Sequence, residues 1–140
     1  MAIDLDEQDG QTPLDPDEKS GLIPAHLTTK AELNDWEQEN ILQAVRWLKR
    51  GRAAEVLSEG FCRTLHKQML GKTWSWAGTF RRSDKNIGCD WRQVGLRLDQ
   101  LFGNTRWWIE NATFPVDEIA ARFHHQLVSI HPFPNGNGRH

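Results

Sequence analysis

The sequence predicts an all-α domain with a small β-hairpin, and three observations lead to that reading. Apolar residues recur at three- and four-residue steps through four segments, the pattern of helices that bury one stripe. Residues 72–91 break the pattern with Gly78, Ser83-Asp84 and Asn86 to Gly88, which is turn chemistry between short stretches. The last ten residues, His131-Pro132-Phe133-Pro134-Asn135-Gly136-Asn137-Gly138-Arg139-His140, follow the final apolar stripe with a glycine-rich turn. At 140 residues the chain suits one domain able to bury a core, and seven Trp against no Tyr mean that large rings supply much of it.

Two units are expected: an acidic extended arm over residues 1–24 and a helical domain over residues 25–140. Residues 1–20 hold seven acids against Lys19, so the arm carries -6 and the remainder +4 within a net charge of -2. Repelling charge, three prolines and little to bury favour an extended arm. It is either a solvated tail or a strap across the domain's basic surface, with Leu14, Leu22 and Ile23 as anchors.

The first helix is expected at Thr29, which with Glu32 forms a capping-box pattern. Leu33, Trp36, Ile41, Ala44, Trp47 and Leu48 give its buried stripe, and Gly51 offers a stop. A second helix is expected over about Ala53 to Leu70, with Leu57, Phe61, Leu65 and Met69 on one face. A hairpin or ordered loop follows. From about Asp90 to Asn111, Val94, Leu98, Leu101, Phe102, Trp108 and Ile109 fit another helix. Pro115, Asp117 and Glu118 suit the first turn of the last one, whose stripe Ile119, Phe123, Leu127, Ile130 delivers His131 at its end.

Cys62 and Cys89 make no disulfide framework, and no Cys/His spacing forms a zinc site; adjacent His124 and His125 point apart on a helix. The net charge argues against a nucleic-acid partner. No signal segment opens the chain and no apolar run is long enough to span a bilayer, so a cytoplasmic protein without membrane contact is expected.

The terminal run carries the chemistry. Glycines that enter φ > 0 turn successive backbone N–H groups toward one point, and such a nest holds phosphate. Arg139 adds a fork of donors suited to phosphate oxygens, and His131 is a base that titrates near neutrality. Phosphate chemistry with His131 as proton acceptor or nucleophile is the reading; a glycine turn with His131 capping carbonyls is the plainer alternative.

The run resembles the Fic motif, HxFx(D/E)GNGRxxR, through His131, Pro132, Phe133, Gly136, Asn137, Gly138 and Arg139, and the resemblance extends over about residues 55–140. The arm and first helix are similar to the branch called mobile mystery protein B. The resemblance implies a Fic-like helical core and transfer of AMP from ATP to a Ser, Thr or Tyr hydroxyl of a target protein. His131 would be the general base, Gly136-Asn137-Gly138 the anion hole and Arg139 a phosphate ligand. It assigns Thr79-Phe80-Arg81-Arg82-Ser83-Asp84-Lys85-Asn86-Ile87 to a flap that docks the target by backbone pairing. It also implies Mg²⁺, weakened because Asn135 stands where the family carries Asp or Glu. The motif's second arginine would fall past His140, so the motif helix is cut short and impaired activity is expected. An inhibitory glutamate, carried by [S/T]xxxE[G/N] in the family, has its nearest counterpart in Glu39, with Asp35 where Ser or Thr belongs. Two rivals stand beside AMP transfer: Doc-like phosphoryl transfer, and a degenerate scaffold acting as a toxin–antitoxin or other protein-binding module.

Overall fold

Thr29 accepts the backbone N–H of Glu32 on its hydroxyl at 3.2 Å, and a 21-residue helix starts behind it. The computed structural model describes residues 13–51 and 55–140. Among these the helices are α1 (Pro16–Lys19), α2 (Lys30–Arg50), α3 (Glu59–Leu70), α4 (Val94–Glu110) and α5 (Val116–Ile130), with a 3₁₀ turn at Trp91–Gln93 leading into α4. Glu32 does not close a full box; its carboxylate takes the Thr28 hydroxyl at 3.2 Å. The second helix is shorter than its periodicity suggests. Ser58 caps α3 by accepting the Phe61 N–H at 3.1 Å, which leaves Leu57 outside it, while Ala53 lies outside the described residues.

Two cores result. Leu33 and Ala44 of α2 meet Met69 and Leu70 of α3, with Leu27, Trp74 and Ala77 completing the cluster. On the other side Cys62 of α3 packs with Val94, Leu98, Leu101 and Phe102 of α4, Leu127 of α5 and Phe133 of the terminal run. Cys62, His66, Met69 and Leu70 are the buried face of α3, one residue round from the expected Phe61 and Leu65. On α4 Trp107 is exposed, whereas Trp108 turns inward edge-on to Phe114.

No strand ladder forms among the described residues; the sole pairing is an isolated antiparallel bridge between Leu22 and Trp74. The expected hairpin is instead an ordered loop over residues 79–90. Its inward side chains are Arg81 and Lys85, which are polar, so the loop is tied down by charge-assisted bonds rather than by strand pairing.

The described part of the arm, residues 13–24, runs back along this loop. It contains α1, whose Asp15 and Glu18 form a capping box, and Leu14 and Leu22 pack against the first core while Ile23 is exposed. Trp76 donates its indole N–H to the Glu18 carbonyl at 2.9 Å.

Candidate active site

α5 delivers His131 by ending on it. Ile119 and Leu127 fix the buried stripe of the helix, and His131 is the C-cap, in left-handed conformation at φ 56° and ψ 62°, its N–H donating to Leu127 at 3.2 Å. A residue with a Cβ is strained there and stays only when its surroundings hold it. The ring is 5 % exposed, and neither nitrogen has a hydrogen-bond partner among the described residues. Burial, followed by the nearby Arg81 and Lys85 cations, pushes its pKa down to about 4, so the imidazole is neutral at pH 7.

Arg81 does the holding. Its guanidinium is buried and donates to main-chain oxygens on both sides: Nε to His131 at 2.5 Å, one amino group to Ser83 at 2.9 Å, the other to Ile130 at 3.2 Å and to Cys89. Its own N–H donates to Pro132. The last carbonyls of α5, orphaned by the helix end, thus receive a cation suited to the C-terminal dipole. Gly88, at φ +99°, makes room for this arrangement, since a Cβ there would lie 2.8 Å from both an Arg81 nitrogen and the His131 Cβ.

Phe133 is fully buried and anchors the turn. Asn137 staples the same residue, taking its N–H at 2.9 Å and donating to its carbonyl at 2.8 Å, so this side-chain amide is spent inside the loop. Beneath lies His66 of α3, its ring stacked on Phe133 at 3.8 Å. Gly78 N–H donates to Nδ1 at 2.9 Å, which leaves the hydrogen on Nε2 to donate to the Asn135 carbonyl at 2.9 Å. Gly136 sits at φ +77° directly above, where a Cβ would lie 2.6 Å from a Leu70 methyl.

The outer end of the motif is more open. Gly138 and Arg139 are exposed, and Arg139 forms an ion pair with Glu37 of α2 at 2.8 Å. Glu37 also accepts the Trp74 indole N–H at 3.0 Å, which explains a carboxylate this buried. Glu39 faces solvent. His140 bonds through Nε2 with the Cys62 carbonyl at 2.7 Å and continues the ring stack over Phe133.

Of the flap residues, Arg82, Asp84, Asn86 and Ile87 are exposed, Thr79, Phe80 and Ser83 are half-buried, and Arg81 is enclosed under the motif. The Lys85 side chain is covered by the arm: Nζ pairs with Glu18, stands 3.6 Å from Asp15 and donates to the Pro13 carbonyl at 3.1 Å. Ser83 donates its hydroxyl to Asp15.

The residues do not form a divalent-cation site of their own. The Asn135 side-chain oxygen is neutral and accepts the Gly136 N–H at 2.7 Å, and no group of three or more His, Cys, Asp or Glu among the described residues is placed to hold a metal. No helix among them is long and apolar enough to cross a membrane.

Sequence reasoning missed His66, the Arg81 clamp and Glu37. His66 was legible as a polar residue four positions after Cys62 on one helical face, had the buried stripe been set one residue over. Little in the sequence marks Arg81, because its partners are main-chain oxygens, and those of Ile130 and His131 are 49 and 50 residues away.

The Fic/DOC family matches residues 56–140. No curated protein matches the chain. Among solved structures it is similar to the N-terminal Fic domain of a Bartonella effector protein (Bep) from Bartonella sp. AR 15-3, a VirB-translocated substrate, at 15% identity and a TM-score of 0.68, over 86% of this chain and 67% of that one. At that identity the likeness concerns the fold, and the family match runs through the whole motif with the loop and α3 beneath it. The chain belongs to the Fic/DOC family.

Proposed function

We propose that the chain transfers AMP from ATP to a Ser, Thr or Tyr hydroxyl of a target protein. The observation that carries this is His131, a neutral buried imidazole with both nitrogens unbonded among the described residues, set at the start of the motif's glycine turn. One ring nitrogen accepts the hydroxyl proton, and the oxygen forms a bond to the α-phosphorus. The bond from that phosphorus to its bridging oxygen breaks, and pyrophosphate leaves with the electron pair. The turn from Gly136 to Gly138 supplies main-chain donors for the phosphate oxygens once the Gly136 N–H leaves Asn135, and Arg139 supplies a cation on leaving Glu37. The exposed loop residues Arg82, Asp84, Asn86 and Ile87 offer the target its docking edge. Asn135 gives magnesium no anionic ligand, and its side-chain oxygen is taken by the Gly136 N–H.

Binding without transfer, with an antitoxin-type protein as partner, is a second reading. The pairing of Arg139 with Glu37 and of Asn135 with Gly136 favours it, since both groups are engaged within the chain. Incubation with α-labelled and γ-labelled ATP and a cell lysate, beside His131→Ala, separates the readings. Label from the α position alone, lost in the variant, supports AMP transfer. Label from γ means phosphoryl transfer, and no label from a folded protein leaves the binding module.

A further inference from the structure

A second charged feature lies away from the motif. α2 and α3 run antiparallel, with Asn40 bonded to the Gln68 carbonyl at 3.2 Å and Trp47 stacked near Phe61. Between them is an open groove of roughly 850 Å³. Arg46, Lys49 and Arg50 line it from α2, Lys67 and Lys72 from α3 and the turn after it, and Trp47 offers an indole along its wall. No carboxylate lines the groove, and none pairs with any of these five cations among the described residues. The contacts made by these cations are with neutral groups: Lys72 to the Gln43 amide oxygen at 2.5 Å, and Arg50 to the Arg46 carbonyl at 3.4 Å.

Part of this charge has an ordinary origin. Lys49, Arg50 and Lys67 stand in the last turns of their helices, where cations suit the dipole. That account does not cover Arg46 or Lys72, nor the gathering of all five on one concavity of a chain whose net charge is -2. The net charge, which argued against a nucleic-acid partner, conceals this segregation.

We propose that the α2–α3 groove binds single-stranded nucleic acid. The lining runs from Asn40 to Arg50, about 15 Å of helix axis at 1.5 Å per residue, which is longer than a single phosphate or mononucleotide needs. Five cations with no carboxylate beside them on one concavity complement a run of phosphates. Cations that follow the phosphates and an indole beside them on which a base can stack are what a strand without a fixed sequence requires. The inference is independent of the transferase reading, because no motif residue lines the groove.

The test is fluorescence anisotropy of a labelled single-stranded oligonucleotide with the full chain across a series of salt concentrations. Binding is expected to weaken steeply with salt, and the triple variant Arg46→Glu/Lys49→Glu/Lys67→Glu should lower affinity at least about tenfold and flatten the salt slope by about 2. All three positions are exposed, and circular dichroism checks that the variant folds. His131→Ala and Arg97→Glu, which lie outside the groove, should leave affinity unchanged. Absence of binding at about 50 mM salt overturns the proposal, as does an equal loss with Arg97→Glu. Equal competition by duplex, or binding of an acidic peptide in place of the oligonucleotide, also overturns it.

Discussion

His66 and His131 invite comparison because burial treats them alike. Both rings are enclosed, both touch the motif loop, and both have pKa values pushed down to about 4, chiefly by loss of water. Their partners differ. His66 spends Nδ1 on Gly78 and Nε2 on Asn135, so it joins α3, the aromatic turn and the motif as a bracket. His131 has no partner at either nitrogen among the described residues, a cost of about 1–3 kcal/mol for a buried polar group, and it sits in strained backbone as well. A depressed pKa does not separate a structural imidazole from a reactive one; the hydrogen-bond inventory does.

The contrast is sharpest in activity. His131→Ala is expected to lower transfer by about 10²–10⁴-fold while changing the free energy of unfolding by no more than about 1 kcal/mol, measured by α-label incorporation and urea denaturation. A large loss of stability would erase the distinction. Arg81→Met should come next, at about 3 kcal/mol, since it strips a buried donor from the carbonyls of His131, Ser83, Cys89 and Ile130. A fully stable Arg81→Met protein would mean that those carbonyls find water.

Acid should expose both histidines together. Each folded pKa lies below the ordinary 6.5, so between pH 6.5 and about 4 the unfolded chain binds more protons than the native one. Stability is complete above pH 6.5 and falls as the pH drops through this window, by about 3 kcal/mol for each histidine at most. His131→Asn, which tolerates the left-handed backbone, should halve the fall; urea midpoints at pH 7 and 4.5 would show an undiminished fall if His131 were solvated. The smallest effect is expected from His66→Phe, which keeps the stack on Phe133 and loses two hydrogen bonds, at about 2 kcal/mol by the same titration. Transfer per folded molecule should change little, and a loss as deep as that of His131→Ala would make His66 part of the chemistry.

Much of the fold was readable because it is local. Thr29 is a cap, and the helices α2, α4 and α5 are written at helical spacing, so the helix that ends on His131 could be placed from the residues alone, although Trp36 and Leu48 of α2 and Ile109 of α4, expected in the buried stripes, are exposed. The anchoring of the site was less readable because it is long-range. Arg81 looks like a docking residue until its carbonyl partners are brought to it, and Glu37 meets Arg139 while Glu39, about 200° round the helix from it, faces solvent. The expected hairpin failed for a related reason: Arg81 bonds to the main chain at the end of α5 and Lys85 to the arm, so side-chain contacts hold the loop and no ladder forms in it.

The arm's contact with the loop also bears on how the molecule breathes. Lys85, Ser83 and Trp76 meet residues 58 to 72 positions earlier in the chain, so these contacts close large loops and reward the chain only after most of it is in place. The segment they hold has one four-residue helix and two partly buried leucines. It is therefore the part that opens at the lowest free energy, and hydrogen exchange should find its amides and those of residues 79–87 unprotected together, well before α3 or α5 yields. Each such opening uncovers the Lys85 cation close to His131, which ties the electrostatics of the base to the fraying of the arm.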